Sequence, residues 1–217
     1  MRTFLLVFLV CCLVAPLAAQ QSLIANYDFA SDTTTLHDQS AQGLDGVVHG
    51  SPSLVADRFG NADGAWHFSP GDHVTIPSTE GLNPLPFSVS VWYKPDLEQI
   101  NHTNVPLFKK YTPALWNGFM MYTRVQEGSN FLSGWYIRNS SNRVISQYGS
   151  PEFNYLDEEV SEDMWRHAVF TVDSIEGRLY FDGQLQDTQP WDGEAMAATN
   201  SLQWQIAGTY NTTDTLG

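Results

Sequence analysis

An antiparallel all-β sandwich or barrel is the fold class this sequence predicts. Three observations carry it: about a dozen short runs rich in aromatic and β-branched residues, Gly, Pro, Asn or Asp between nearly all of them, and almost no helical period. Aromatic residues make up 13% of the 217-residue chain, enough large rings to fill the space between two facing sheets. No repeat or low-complexity linker divides it, so a single domain over residues 22–217 is expected.

The start of the chain reads as an address. Arg2 is the only charged side chain in the first 27 residues, and an apolar run from Phe4 to Val14 follows it, then small residues up to Ala19. A basic start, a short apolar stretch and small residues before a polar one describe a secretory signal peptide over residues 1–20, cleaved between Ala18 and Gln21. The apolar run is shorter than the roughly 20 residues a spanning helix needs. Cleavage would remove Cys11 and Cys12, the only cysteines, so the exported part would be held by its apolar core without disulfides.

From Ser22 onward the strands follow one another. Leu23–Phe29 alternates as a first strand, with runs at 46–49, 65–68, 73–76 and a longer one at 87–93 behind it. Further runs lie at 106–109, 118–122, 134–138, 143–146, 165–172, 178–181 and 202–206; only 156–164 offers a helical turn. Asp182-Gly183 joins two runs as a tight type I′ hairpin, and Asn61 to Gly64 is another turn. Trp92 and Trp165 are expected to point inward, Arg58 to tie a loop to carboxylates or carbonyls, and His67 and His73 to flank a turn where they could face each other.

Charge and motif content exclude several function classes. A formal net charge of −14 repels phosphate backbones and anionic headgroups, which argues against nucleic acid and membrane surfaces as partners. No Gly-x-Ser-x-Gly elbow, phosphate-cradling Gly-rich loop or His-x-x-x-His ligand pair occurs. A retaining glycosidase needs two carboxylates about 5–5.5 Å apart. The strand motif Glu-x-Asp-x-x-Glu that would supply them is absent, and the acidic stretch Asp157–Asp163 reads as a solvated loop or a single helical turn.

Several segments together resemble one family. Tyr27-Asp28-Phe29, Asp38-Gln39-Ser40, Gly43-Leu44-Asp45-Gly46 and Arg58-Phe59-Gly60-Asn61-Ala62 are followed in order by Phe87 to Trp92, Leu107 to Lys110, Trp165 to Val169 and Leu179 to Gly183. This succession is similar to the laminin-G-like, concanavalin A-like domains of bacterial secreted proteins and covers nearly all of the exported part. The resemblance implies a two-sheet jelly roll whose closing C-terminal strand is not found before Gly217, which would leave a sheet edge open to pairing. It also implies a structural calcium ion, for which Asp38 and Asp45, with Asp28 and Asp72 behind them, are the matching oxygen donors; the alternative for these residues is turn formation.

Jelly rolls of this type host binders and enzymes alike, so the site must decide. Sugar recognition uses an exposed ring under the apolar face of a pyranose, and rings placed between Pro and Gly are the candidates: Tyr111 and Trp116 in one loop, Trp191 in another. The expected function is a secreted, non-catalytic module that binds carbohydrate or a cell-surface protein within a larger surface protein. A glycan-active hydrolase or lyase and a structural spacer are the alternatives.

Overall fold

The computed structural model describes residues 23–30, 32–40, 42–77, 82–95, 104–112, 114, 116–126, 129–148 and 164–208. The signal-like segment 1–20, the acidic stretch at 157–163 and nearly all of the suggested helical turn lie outside them.

Among the described residues fourteen strands are formed: β1 (Thr35–Leu36), β2 (Gly46–His49), β3 (Ser53–Val55), β4 (Ala65–His67), β5 (His73–Ile76), β6 (Phe87–Tyr93), β7 (Val105–Thr112), β8 (Asn117–Gln126), β9 (Ser129–Asn139), β10 (Asn142–Tyr148), β11 (Arg166–Val172), β12 (Glu176–Phe181), β13 (Gln184–Pro190) and β14 (Trp204–Ala207). An eight-stranded sheet runs β1-β2-β5-β14-β7-β8-β9-β10 and a four-stranded sheet runs β13-β12-β11-β6, while β3 and β4 pair by themselves. Every pairing is antiparallel. The all-β sandwich expected from the sequence is therefore the observed architecture.

Period-2 alternation decides which side chains fill the interior. Phe119 and Met121 on β8, Leu132 and Tyr136 on β9, and Val144 on β10 face Ala168, Phe170 and Val172 on β11 and Leu179 and Phe181 on β12, all buried in one apolar cluster. Phe170 sits where two glycines make room. A methyl carbon on Gly134 would lie 2.4 Å from Phe170 Cδ2, and one on Gly177 would lie 2.2 Å from Val144 Cγ1. Ring packing continues through Phe87, Phe119 and Tyr136, with centroids 4.5–5.9 Å apart.

Four expectations need correction. Trp92 faces outward, 43% exposed, because it shares its face of β6 with Ser88 and Ser90 while Phe87, Val89, Val91 and Tyr93 take the inner one. Trp165 is half-buried just ahead of β11, outside the core cluster. Leu23–Ala30 pairs in no ladder among the described residues and turns at Phe29, whose φ is 52°; it is held to the 38–44 turn instead. His73 stacks on His49, centroids 4.5 Å apart, because the β2–β5 register sets those two opposite each other, and His67 is on β4. The Asp182-Gly183 hairpin is as expected, with both residues at positive φ (47° and 78°).

Phe170→Ala is expected to cost about 3–5 kcal/mol of unfolding free energy, the range for emptying a buried aromatic site. Urea titration followed by tryptophan fluorescence checks it. A loss below about 1 kcal/mol would mean the two sheets do not share this contact.

Candidate functional site

Two places present aromatic rings to solvent on rigid supports. The first is the β7–β8 hairpin tip. Trp116 is 48% exposed and holds a positive φ of 44°, a conformation that costs an aromatic residue energy and persists only where neighbours over-determine it. The neighbours are two buried asparagines. Asn117 Nδ2 donates to Arg138 O (3.0 Å) and Thr199 Oγ1 (3.1 Å), while its Oδ1 accepts from the amides of Thr199 and Asn200 (2.9 and 3.1 Å). Asn200 Nδ2 donates to Lys110 O and Asn117 O at 3.0 and 2.8 Å. Gly118 follows at a φ of 130°, where any Cβ would meet Lys110 O at 1.9 Å.

This clamp ties together the β7–β8 tip, the end of β9 and the 193–200 loop. Beside it, the exposed residues Asn139, Ser140 and Thr199 supply polar groups of the kind that orient a hydroxylated ligand. Asn142 Nδ2 donates to Glu194 O (3.1 Å), and Arg143 and Asp192 exchange backbone hydrogen bonds of 3.0 and 2.8 Å, so the end of the sandwich is cross-braced.

The other ring candidates from the sequence do not join Trp116. Tyr111 belongs to β7, not to a loop, and is only 6% exposed, packed edge-on against Trp135 at 5.8 Å; strand alternation carries it into a second apolar cluster with Met120, Tyr122, Phe131 and Ile137. Trp191 is half-buried against the core, with Nε1 donating to Asp173 O (2.9 Å) and its ring edge-on to Tyr136. Both rings build the scaffold under the hairpin tip, and neither offers a free face.

The second exposed place was not foreseen. On the outer face of the four-stranded sheet Trp92 stacks on His167 (4.7 Å, 14°), and His167 Nε2 is 2.8 Å from Ser90 Oγ. The Arg58 guanidinium lies 4.5 Å from the Trp92 ring centre and 4.3 Å from that of Phe59, itself 72% exposed. Arg58 thus ties its loop down through aromatic faces, where the sequence suggested carboxylates or carbonyls. Reading the Ser-Val-Ser-Val-Trp alternation strictly would have placed Trp92 here.

The carboxylates offered for calcium each accept hydrogen bonds from turn amides. Burial works against the charge on Asp38, but the donors around it outweigh that cost and hold its pKa at about 2. These donors are the amides of Asn26, Ser40 and Leu44 and the Ser40 hydroxyl, at 2.7–2.9 Å, and they occupy both oxygens. Asp45 accepts from the Asp38 amide and touches His37, Asp28 caps the Ala30 amide, and buried Asp72 accepts from the amides of Ser51 and Ser69. Calcium takes carbonyl oxygens as well as carboxylates, and the carboxylates here sit on turns that also present backbone carbonyls.

The geometry defines a concanavalin A-like jelly-roll sandwich with loop-borne aromatics. Residues 68–217 match the profile of the Concanavalin A-like lectin/glucanases superfamily of laminin-G type, and the chain belongs to that family. No curated protein matches it. Among solved structures it is similar to the binding domain of Paraclostridial Mosquitocidal Protein 1 (14% identity, TM-score 0.55, 85% of this chain and 44% of that one). It is also similar to the binding domain of Botulinum neurotoxin DC, solved with rat synaptotagmin II (13%, 0.58, 85% and 44%). A third is a structure of botulinum neurotoxin type C, whose cell entry is dependent upon interaction with two ganglioside molecules (11%, 0.54, 88% and 44%). The chain spans under half the length of these structures, and at such identities the likeness is one of fold.

Asp38→Asn is expected to lower stability by about 1–2 kcal/mol, through donors left poorly matched. It should also flatten the acid limb of the stability curve. The folded-state pKa lies below the ordinary 3.8, so the carboxylate's contribution is full above about pH 4 and is lost as pH falls toward 2. Urea midpoints from pH 5 to pH 2 check both; an unchanged acid limb in the variant would contradict the assignment.

Proposed function

We propose that this chain is a secreted, non-catalytic recognition module that binds carbohydrate through Trp116, as part of a larger surface protein. One observation carries the reading: a solvent-facing indole held at a left-handed turn by a buried two-asparagine clamp, with small polar side chains beside it. A pyranose places its apolar C–H face on such a ring while hydroxyls meet the surrounding polar groups, and a rigid support reduces the entropy lost on binding. Family membership supports the reading, as do two neighbours named as binding domains, one of them solved with synaptotagmin, and a third described by cell entry dependent upon gangliosides. An extracellular setting rests on the signal-like first 20 residues.

Recognition of a cell-surface protein is the second reading. The Phe59–Arg58–Trp92 patch favours it, because exposed aromatics beside an arginine are the residue types that anchor protein interfaces.

Trp116→Ala is expected to abolish retention on a glycan array while moving the melting temperature by less than about 2 °C, since an exposed ring adds little to the core. Trp92→Ala should leave glycan retention intact. Retention that survives Trp116→Ala, or that follows Trp92 instead, would overturn the assignment to the hairpin tip.

A further inference from the structure

The outer face of the eight-stranded sheet carries a pair of histidines that neither recognition reading uses. On β2 and β5 the inner positions go to Val48 and Val74, which join the apolar core. Alternation therefore turns Val47, His49, His73 and Thr75 outward. The register sets His49 directly opposite His73, and their rings stack with centroids 4.5 Å apart and planes within 11° of parallel. Both rings stay accessible to solvent.

Each ring is oriented through one nitrogen. His73 Nδ1 lies 3.0 Å from Gly71 O, and a carbonyl only accepts, so the proton sits on Nδ1 and the neutral ring keeps its lone pair on Nε2. His49 Nε2 lies 2.8 Å from Thr75 Oγ1, and donating Nε2–H to that hydroxyl leaves the His49 lone pair on Nδ1. An imidazole held by one nitrogen on an oxygen, while the other presents a lone pair, is the arrangement of a metal-ligating histidine. Burial and the neighbouring His73 charge lower the His49 pKa, which favours the neutral ring that can ligate.

The backbone beneath the pair is fixed by one buried carboxylate. Asp72 Oδ1 accepts from the Ser51 amide and Oδ2 from the Ser69 amide, both at 2.8 Å, and the Asp72 amide donates to Ser69 O at 2.9 Å. The chain leaving His49 and the turn entering His73 thus share a single anchor. Two strands held in register where the histidines face each other lose little freedom when one ion joins them.

We infer that His49 and His73 form a two-imidazole site for a late first-row transition-metal ion of the zinc or copper(II) class. The ligand chemistry selects the ion: imidazole nitrogen suits zinc, nickel and copper, whereas calcium and magnesium take oxygens. Among the described residues no third His, Cys, Asp or Glu side chain joins the pair, so water completes the coordination. Zn–N bonds of about 2.0–2.1 Å require the rings to close by roughly 1 Å at their rim, a tilt that surface side chains can make. Bound there, the ion cross-links β2 to β5. These strands carry neither Trp116 nor Trp92, so the site is independent of both recognition readings.

The test uses the full chain, uniformly ¹⁵N-labelled, with zinc chloride as the probe at about pH 7.5, where imidazoles are largely neutral. Long-range ¹H–¹⁵N spectra read both rings at once. Before zinc is added, His73 is expected in the Nδ1–H form. On titration the ring nitrogens of His49 and His73 should shift together along one saturating curve, and the same concentration of magnesium should leave them in place. His73→Gln should weaken zinc binding at His49 roughly tenfold or more, because a chelating pair gains by effective concentration; backbone amide spectra check that the variant is folded. Thr75→Val, which keeps both rings and removes the orienting hydroxyl, should weaken it about tenfold. Rings that respond with separate midpoints, or a His49 midpoint unmoved by His73→Gln, would show two single ligands and overturn the site. Identical shifts with magnesium would overturn it too, as would no response at about 1 mM zinc, a weak-binding limit.

Discussion

The contact on which the rest of this molecule depends is the seating of Phe170 against Gly134 and Gly177. Two sheets packed face to face need their inner side chains to interlock, and a large ring can cross the midline only where the opposing layer recedes. Gly134 on the eight-stranded sheet gives that recess, and Gly177 lets β12 lie close to Val144 and the Phe170 ring. With the layers brought together there, Phe119, Tyr136 and Phe87 stack outward from the centre toward the hairpin tip, and Leu179, Phe181 and Val172 complete the opposite wall.

The proposed recognition site depends on how that core ends. At one end Tyr136 leaves the apolar cluster by donating its hydroxyl to Pro84 O (2.8 Å) and accepting from the Ala198 amide (3.2 Å). Trp191 packs on the same ring, so the 191–200 loop is anchored before it reaches Asn200 and the clamp beneath Trp116. The Trp116 ring is thus several contacts from the core, made by ring packing and by buried or half-buried hydrogen bonds.

Much of the fold was legible because period-2 alternation and turn chemistry are local. The runs at 46–49, 73–76, 87–93 and 143–146, and the Asp182-Gly183 hairpin, needed no knowledge of partners. What local pattern could not supply was long-range register and who donates to whom. His73 finds His49 through the β2–β5 pairing, a relation 24 positions long that no turn signal encodes. Lys109 and Lys110 look like a solvated pair, yet both are buried in β7, and Lys110 Nζ donates to Leu82 O at 3.0 Å. Asp38 is of a type that serves a cation or a turn, and only the fold shows that the amides of Asn26 and Leu44 point at it. Of the candidate site only Trp116 was visible in advance, by its place between Pro and Gly. Tyr111 lies on a strand because β7 continues up to Pro113, and Trp92 faces out because parity along β6, not side-chain size, sets its face.

The central claim is that both sheets form one cooperative body through the Phe170 contact. Native-state hydrogen exchange at increasing denaturant tests it most directly, by comparing the opening free energies of amides in β8 and β9 with those in β11 and β12. The account predicts one common, global value for the slowest amides of both sheets. A four-stranded sheet that opens at a distinctly lower free energy, while β8 and β9 stay protected, would contradict it.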